Sequence, residues 1–202
     1  LTDRDRGALN SAFFWSYAAL QIPAGWLVDR FGVKYPYALG FVIWSLVSAG
    51  SALAGSSRQL FLLRVLLGVG ESVVTPAGMR WIRFHCAEHQ RGLAVGLYMA
   101  AAKVGPALGT PLAGWLIVQF GWRKMFLILG LGGLIWLIPW MKLVRDDDRQ
   151  IEAAQSRQAV AGRVPFSQVL ASPVIWGTVI GTFCYQYFVY FSMTWLPAYF
   201  VD

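Results

Sequence analysis

Charge and cysteine are what this chain has least of. Only 13% of its 202 residues are charged, and histidine occurs twice. Soluble domains carry about a quarter charged residues, so the sequence falls outside that class. The two cysteines, Cys86 beside a polar connection and Cys184 inside an apolar run, suggest no disulfide framework. No nucleophile stands with a base and no glycine-rich loop follows a strand, so neither an enzyme site nor a cofactor is expected. His85 and His89, with Cys86 and Glu88 between them, have the i,i+4 spacing of a metal site. They lie in a connection and do not form H-E-x-x-H, so no metal site is expected either. A cleavable signal peptide is not the pattern of the start, where charged residues precede an apolar run of full span length.

Apolar residues are abundant: 57% of the chain is hydrophobic and ten residues are tryptophan. A helix needs about 20 apolar residues to cross a hydrocarbon layer of about 30 Å. Six runs reach that scale, over 8–28, 35–54, 60–79, 92–118, 125–141 and 174–199. The fold class expected is an all-α membrane protein, a polytopic bundle of six spans in the lipid bilayer.

The net charge of +7 invites a nucleic-acid reading, and the placement of the cations argues against it. Arg30, Lys34, Arg80, Arg83, Arg91, Lys142, Arg145, Arg149, Arg157 and Arg163 fall in alternate connections. The opposite side has only Arg4, Arg6, Arg58, Arg123 and Lys124. Ten against five is the bias that retains positive loops in the cytoplasm. Residues 29–34 are therefore placed in the cytoplasm, both chain ends outside, and no nucleic-acid partner is expected.

Four connections are short and polar or glycine-containing: D-R-F-G-V-K, A-G-S-S-R, R-W-I-R-F-H-C-A-E-H-Q-R and Q-F-G-W-R. The fifth, from Lys142 to Ser172, is long and hydrophilic at first and ends in P-F-S-Q-V-L-A-S-P, where a proline suits the start of a short interfacial helix. It is the candidate inter-domain linker, giving a division into 1–144, a linker over 145–172, and 173–202. Gly92, Gly96, Gly105, Gly109 and Gly114 have the spacing that lets a span approach its neighbours closely. Pro23, Pro76, Pro106, Pro111 and Pro139 predict kinks.

Charges inside the spans are the informative residues, since each costs about 2.5 to 3.5 kcal/mol at mid-membrane. Arg64, Glu71 and Lys103 are such charges. Seven residues separate Arg64 from Glu71, which sets them within about 20° of one helix face and about 10.5 Å apart. Gly68, Thr75 and Gly78 continue the face, as a stripe that lines either a cavity or a helix contact. Lys103 lies about 16 Å in from Gly92 and Glu71 about 13 Å in from Arg80, depths that permit a Lys103–Glu71 pairing. On the first run Asn10, Tyr17 and Gln21 share a face. A tyrosine there suits a ligand that is part apolar, and equally suits packing.

The stretch G-W-L-V-D-R-F-G-V-K over 25–34 resembles the loop signature G-x-L-a-D-r-x-G-r-k of the major facilitator superfamily, with Val33 where that pattern has a cation. F-F-W-S-Y-A-A-L-Q-I-P-A-G-W before it, R-V-L-L-G-V-G-E over 64–71, G-W-R-K-M-F over 121–126 and W-L-P-A-Y over 195–199 are similar to the anion:cation symporter family. The resemblance implies that the chain corresponds to helices two to seven of twelve, a fragment whose remainder is its natural partner, with 1–144 as an incomplete first bundle and 173–202 as the first helix of the second. It further implies symport of a small organic anion, a sugar acid or aromatic acid, with protons or, alternatively, sodium, across a bacterial inner membrane. Arg64, Tyr17, Gln21 and Lys103 then serve the anion and Glu71 the proton, while Gly25, Asp29, Arg30, Gly32 and Lys34 form a conformational latch. G-P-A-L-G over 105–109 is similar to a motif of drug and proton antiporters, which leaves efflux as an alternative. A non-transporting membrane sensor is a second one.

Overall fold

The chain, described by a computed structural model for the backbone of residues 3–158 and 166–199 and the side chains of 7–154, 167–168 and 170–192, is helical, with no strand among the described residues. It divides into two compact units, Leu1–Gln155 and Ser156–Asp202. The first contains α1 (Asp3–Phe31), α2 (Lys34–Gly50), α3 (Ser57–Glu71), α4 (Val74–His85), α5 (Arg91–Gly133), α6 (Leu137–Leu143) and most of α7 (Asp148–Gln158). The second contains α8 (Phe166–Ala171) and α9 (Pro173–Tyr199).

Among the described residues, four stretches are long and apolar enough to cross a membrane: Lys34–Leu53, Ser57–His85, Glu88–Leu143 and Pro173–Ser192. The third has 56 residues, enough for two of the expected spans, and breaks at Gly121, whose φ of 80° is open to glycine and strained in other residues. α1, at 29 residues, has the length to cross as well, but Asn10, Ser11, Ser16 and Gln21 dilute its apolar character. The third expected connection is mostly helix, since α4 continues through His85 and only the residues after it turn away.

Local chemistry sets the helix ends. Ser56 accepts a hydrogen bond from the Gln59 amide at 3.3 Å while Gln59 Oε1 accepts one from the Gly55 amide at 2.7 Å, a near-reciprocal cap that starts α3. Pro76 has no amide hydrogen to offer the carbonyl four residues earlier. The rod of α3 and α4 is broken there, at Ser72 and Val73, with Ser72 Oγ turned back onto the Val69 carbonyl at 2.8 Å.

Helices in lipid gain no hydrophobic drive from meeting one another, so backbone proximity and polar contacts must hold them. α3 supplies two such close crossings. A Cβ on Gly68 would collide with Ser16 Oγ of α1 and stand 2.6 Å from the Phe13 carbonyl oxygen. A Cβ on Gly70 would stand 2.8 Å from the Trp44 amide nitrogen and 2.9 Å from the Gly40 carbonyl oxygen of α2. Glycine is therefore required where α3 crosses α1 and α2. Gly130 of α5 sits as tightly on Ser45 and Ala49 of α2, while Arg123 donates to the Ala52 carbonyl at 3.1 Å. Tyr37, Phe41, Trp136 and Trp140 fill the adjoining seam, with Tyr37 and Trp140 stacked at 4.3 Å. The glycines of the first part of α5 behave otherwise. A Cβ added at Gly92, Gly96, Gly105, Gly109 or Gly114 would meet no atom within 4 Å, so the close approach expected of them is absent among the described residues.

In the second unit the indole of Trp176 donates to the Leu170 carbonyl at 2.8 Å, joining α8 to α9. The short helix expected before residue 173 is thus present as α8; its proline, Pro165, lies outside the described residues, as do the side chains of 195–199.

The backbone crossings make a direct prediction. Gly70→Ala should lower stability in detergent by about 1 to 3 kcal/mol, the cost of forcing a methyl against main chain that cannot yield. Gly50→Ala, whose Cβ would meet only Leu63 Cδ2 at 3.7 Å, is the control and should unfold with the parent. Equal midpoints for the two variants would contradict the assigned crossing.

Candidate functional site

The loop over 25–34 is a turn built on one residue. Gly32 ends α1 with φ 81° and donates its amide to the Val28 carbonyl at 2.9 Å, closing the helix in the left-handed cap that glycine favours. A side chain there would also strike Asp146 Oδ1 at 2.9 Å and Asp148 Oδ2 at 3.1 Å. Val33, the departure from the loop pattern, is 1% exposed and packs with Ala24, Val28, Val73 and Ala77. Its amide, at the start of α2, donates to Asp148 Oδ2 at 2.9 Å. A remote carboxylate thus caps α2, where the helix dipole favours negative charge, and Pro36 in the same first turn needs no amide partner. Of the other loop residues, Lys34 offers its carbonyl to the Trp140 indole at 3.1 Å, and exposed Arg30 lies over the rings of Trp26 and Phe31. Gly25 faces Pro76 of α4.

Asp29 reaches Arg80. On α4, Ala77, Arg80 and Phe84 recur at helical spacing and all are buried, so the face that packs inward carries one guanidinium. Arg80 Nη1 donates to Asp29 Oδ1 at 2.7 Å, Nη2 to Glu152 Oε2 at 2.8 Å, and Nε lies 3.4 Å from Asp148 Oδ2. Its guanidinium also covers the Phe84 ring at 4.8 Å. Asp148 is fully buried, and its Oδ1 has no partner among the described residues. Beside this hub, His85 Nε2 is 3.0 Å from Asp147 Oδ1. Residues 146–152, read from sequence as the start of a linker, are joined to the helices through Asp147, Asp148 and Glu152.

The mid-span residues form a looser group. Arg64 and Glu71 lie on one unbroken helix, α3, with Glu71 its last residue before the break. Arg64 is exposed, Glu71 half-buried, and they form no ion pair among the described residues. Tyr17 Oη bonds Thr75 Oγ1 at 3.0 Å, and its ring stacks on Phe13. The stripe therefore serves as a helix contact at Gly68 and Thr75, which meet α1, and at Gly78, where Tyr98 of α5 fills the space a Cβ would need. Gln21 is half-buried, Asn10 exposed, and Lys103 exposed on α5. No Lys103–Glu71 pair is present among the described residues. A groove of about 740 Å³ in the first unit lies apart from these charges, along Leu27, Phe31, Tyr35, Leu39, Leu137 and Met141.

Sequence reasoning missed Arg80, Asp148 and Glu152. Arg80 counted only as a topological cation and the acids as solvated linker. The available signal was the i,i+4 spacing of Asp148 and Glu152, which sets two carboxylates on one face of any helix formed there.

Comparison with known proteins agrees with this architecture. Residues 3–202 match the family model described as Major Facilitator Superfamily. The chain is similar to a probable galactarate/D-glucarate transporter of Bacillus subtilis (29% identity, 97% of this chain, 49% of the relative) and to a hexuronate transporter of the same organism (28%, 100% and 49%). It is also similar to a probable sulfoacetate transporter of Cupriavidus necator, at 31% identity over 98% of this chain and 49% of the relative. The chain thus spans about half the length of the relatives it matches.

The Arg80 hub yields a second prediction. Arg80→Ala leaves Asp148 buried without its cation and should destabilise the protein by about 3 to 5 kcal/mol, whereas the exposed Asp29 and Glu152 contribute little to that loss. Arg80→Lys should recover part of it, and Arg30→Ala should cost under about 1 kcal/mol. Unfolding midpoints in detergent measure all three; an unshifted Arg80→Ala would show that the hub does not hold the bundle.

Proposed function

Because the chain belongs to the major facilitator superfamily, we propose that the full-length protein is a secondary carrier that takes a small organic anion across the bacterial inner membrane together with protons. The observation that carries the reading is the placement of Arg64 and Glu71 two turns apart on one continuous helix that ends at a break. The similarity to carriers named for galactarate, hexuronate and sulfoacetate supports an anionic cargo.

In this reading Arg64 grips the cargo's carboxylate with its planar fork, which a lysine does not reproduce. Glu71 takes the proton. An ionised carboxylate within a span is costly unless it is protonated or paired, so neutralising Glu71 frees Arg64 for the anion and lowers the unpaired charge that the loaded carrier must move. Gln21 and Lys103 add polar and positive character. Tyr17, whose hydroxyl is engaged by Thr75, offers its ring edge. Rocking of two halves about the site exposes it alternately to each side. The Asp29–Arg80 contact latches the cytoplasmic end, with Gly25, Arg30, Gly32 and Lys34 shaping the loop.

Full-length protein in liposomes tests this with labelled galactarate, glucarate, a hexuronate and sulfoacetate, and a neutral hexose as control. Arg64→Ala should weaken anion binding about 30-fold or more, as loss of one member of a desolvated charge pair does; Arg64→Lys should retain part. Glu71→Gln should preserve exchange between compartments and abolish uptake driven by a proton gradient. Continued gradient-driven uptake by the glutamine variant removes Glu71 from coupling, and unchanged binding in Arg64→Ala removes Arg64 from the site.

A further inference from the structure

His85 ends α4 with both ring nitrogens facing acceptors. Nδ1 is 3.1 Å from the Trp81 carbonyl oxygen and Nε2 is 3.0 Å from Asp147 Oδ1. A neutral imidazole has one N–H, so it donates to only one of these oxygens; the imidazolium donates to both. The ring is also stacked on the Trp81 indole, centroids 4.8 Å apart and planes 9° from parallel, a position that favours a cation. Its side chain is 17% exposed and that of Asp147 33%, so the contact is sheltered but open to protons.

We propose that His85 is a proton-operated tether that fastens the start of α7 to the end of α4. Asp147 is the carboxylate bonded to it, with Arg145, two residues earlier, acting on Asp147. Asp148, Glu152 and Asp29 are committed to Arg80, and Arg83 lies over Phe84. Glu88, His89 and Cys86 follow His85 in the connection, and none is hydrogen-bonded to it among the described residues. Of the side chains in this contact set, His85 is the one of a type that can gain or lose its charge near neutral pH.

The effect has a definite sign. The His85 hydrogen bond holds Asp147 below the usual carboxylate range, so Asp147 stays ionised well into acid and its contribution is lost only as pH falls through that lowered value. The full contact needs an N–H on both ring nitrogens, so the tether weakens as pH rises and the imidazolium gives up its proton. The tether is strongest between these limits. Because Gly32 and the Val33 amide lie against Asp146 and Asp148, a fastened segment also restrains the turn between α1 and α2. The device is separate from cargo binding and does not depend on the identity of the cargo.

Hydrogen exchange of the full-length protein in nanodiscs, read on peptides covering 144–152 and corrected for intrinsic rates, tests it. Exchange at pH 6 should be slower than at pH 8 by about tenfold, the scale of a charge-assisted hydrogen bond. His85→Gln and Asp147→Asn should each abolish the difference, while Glu71→Gln should keep it. Equal protection at both pH values, a difference that survives His85→Gln, or one lost in Glu71→Gln would overturn the proposal. Because both tether residues are partly exposed, both variants are expected to fold, and a parent-like midpoint at pH 8 checks this.

Discussion

One buried guanidinium organises the end of the bundle. Arg80 sits at 8% exposure with carboxylates from α1 and α7 around it. Helix association in lipid lacks the hydrophobic drive of water, so directional polar contacts decide which faces meet. Three acids on one cation would repel one another in a dry site. Here the arrangement is graded: Asp148 is fully buried, while the side chains of Asp29 and Glu152 are 72% and 45% exposed, so water screens the excess negative charge. Asp148 gains a second role from its position, since the same oxygen that faces Arg80 also caps the start of α2. A single carboxylate therefore joins α7, α4 and the α1–α2 turn.

Much of this was legible because membrane sequences obey few rules strongly. Runs of span length, cations in alternate connections and the turn at Gly32 follow from desolvation and from φ, and the structure has helices and a positive φ where those rules put them. Asp148 was not legible, because three acids in a row, Asp146 to Asp148, read as solvated linker and a fully buried aspartate is rare. Its burial depends on Arg80, 68 residues away, a relation that no local pattern encodes. Val33 shows the reverse case. The loop pattern it resembles has a cation there, yet the position is core, and the backbone amide of the same residue makes a polar contact.

The glycines divide for a physical reason as well. Those at 40, 68 and 70 are as small as those at 96, 105 and 109, but only the first group comes against other backbone among the described residues. Small-residue spacing specifies the capacity for close approach, while the partner helix determines whether it is used. For the same reason the stripe below Arg64 could be read from sequence only as cavity or contact. Gly68 and Thr75 turn out to face α1, which leaves the two charges at the margins of a packed seam.

The break in the α3–α4 rod connects the two groups of charges. Arg64 and Glu71 lie on α3 and Arg80 and His85 on α4, with Ser72 and Val73 between the segments as the joint. α1 runs alongside both. It meets α3 where Ser16 and Phe13 abut Gly68, and meets α4 where Tyr17 bonds Thr75, Gly25 faces Pro76 and Asp29 pairs with Arg80. A helix that contacts both sides of a joint acts as a splint, so any bend at Ser72 must stretch or slide the α1 contacts on one side. Gly68 is wedged against main chain and has no room to slide. The side-chain contacts beyond the joint are the ones that can exchange partners, and they begin at Tyr17–Thr75. Glu71 is the last residue before the joint and Tyr17–Thr75 the first side-chain contact between α1 and α4 beyond it, so the joint lies between the mid-span charges and the Asp29–Arg80 contact.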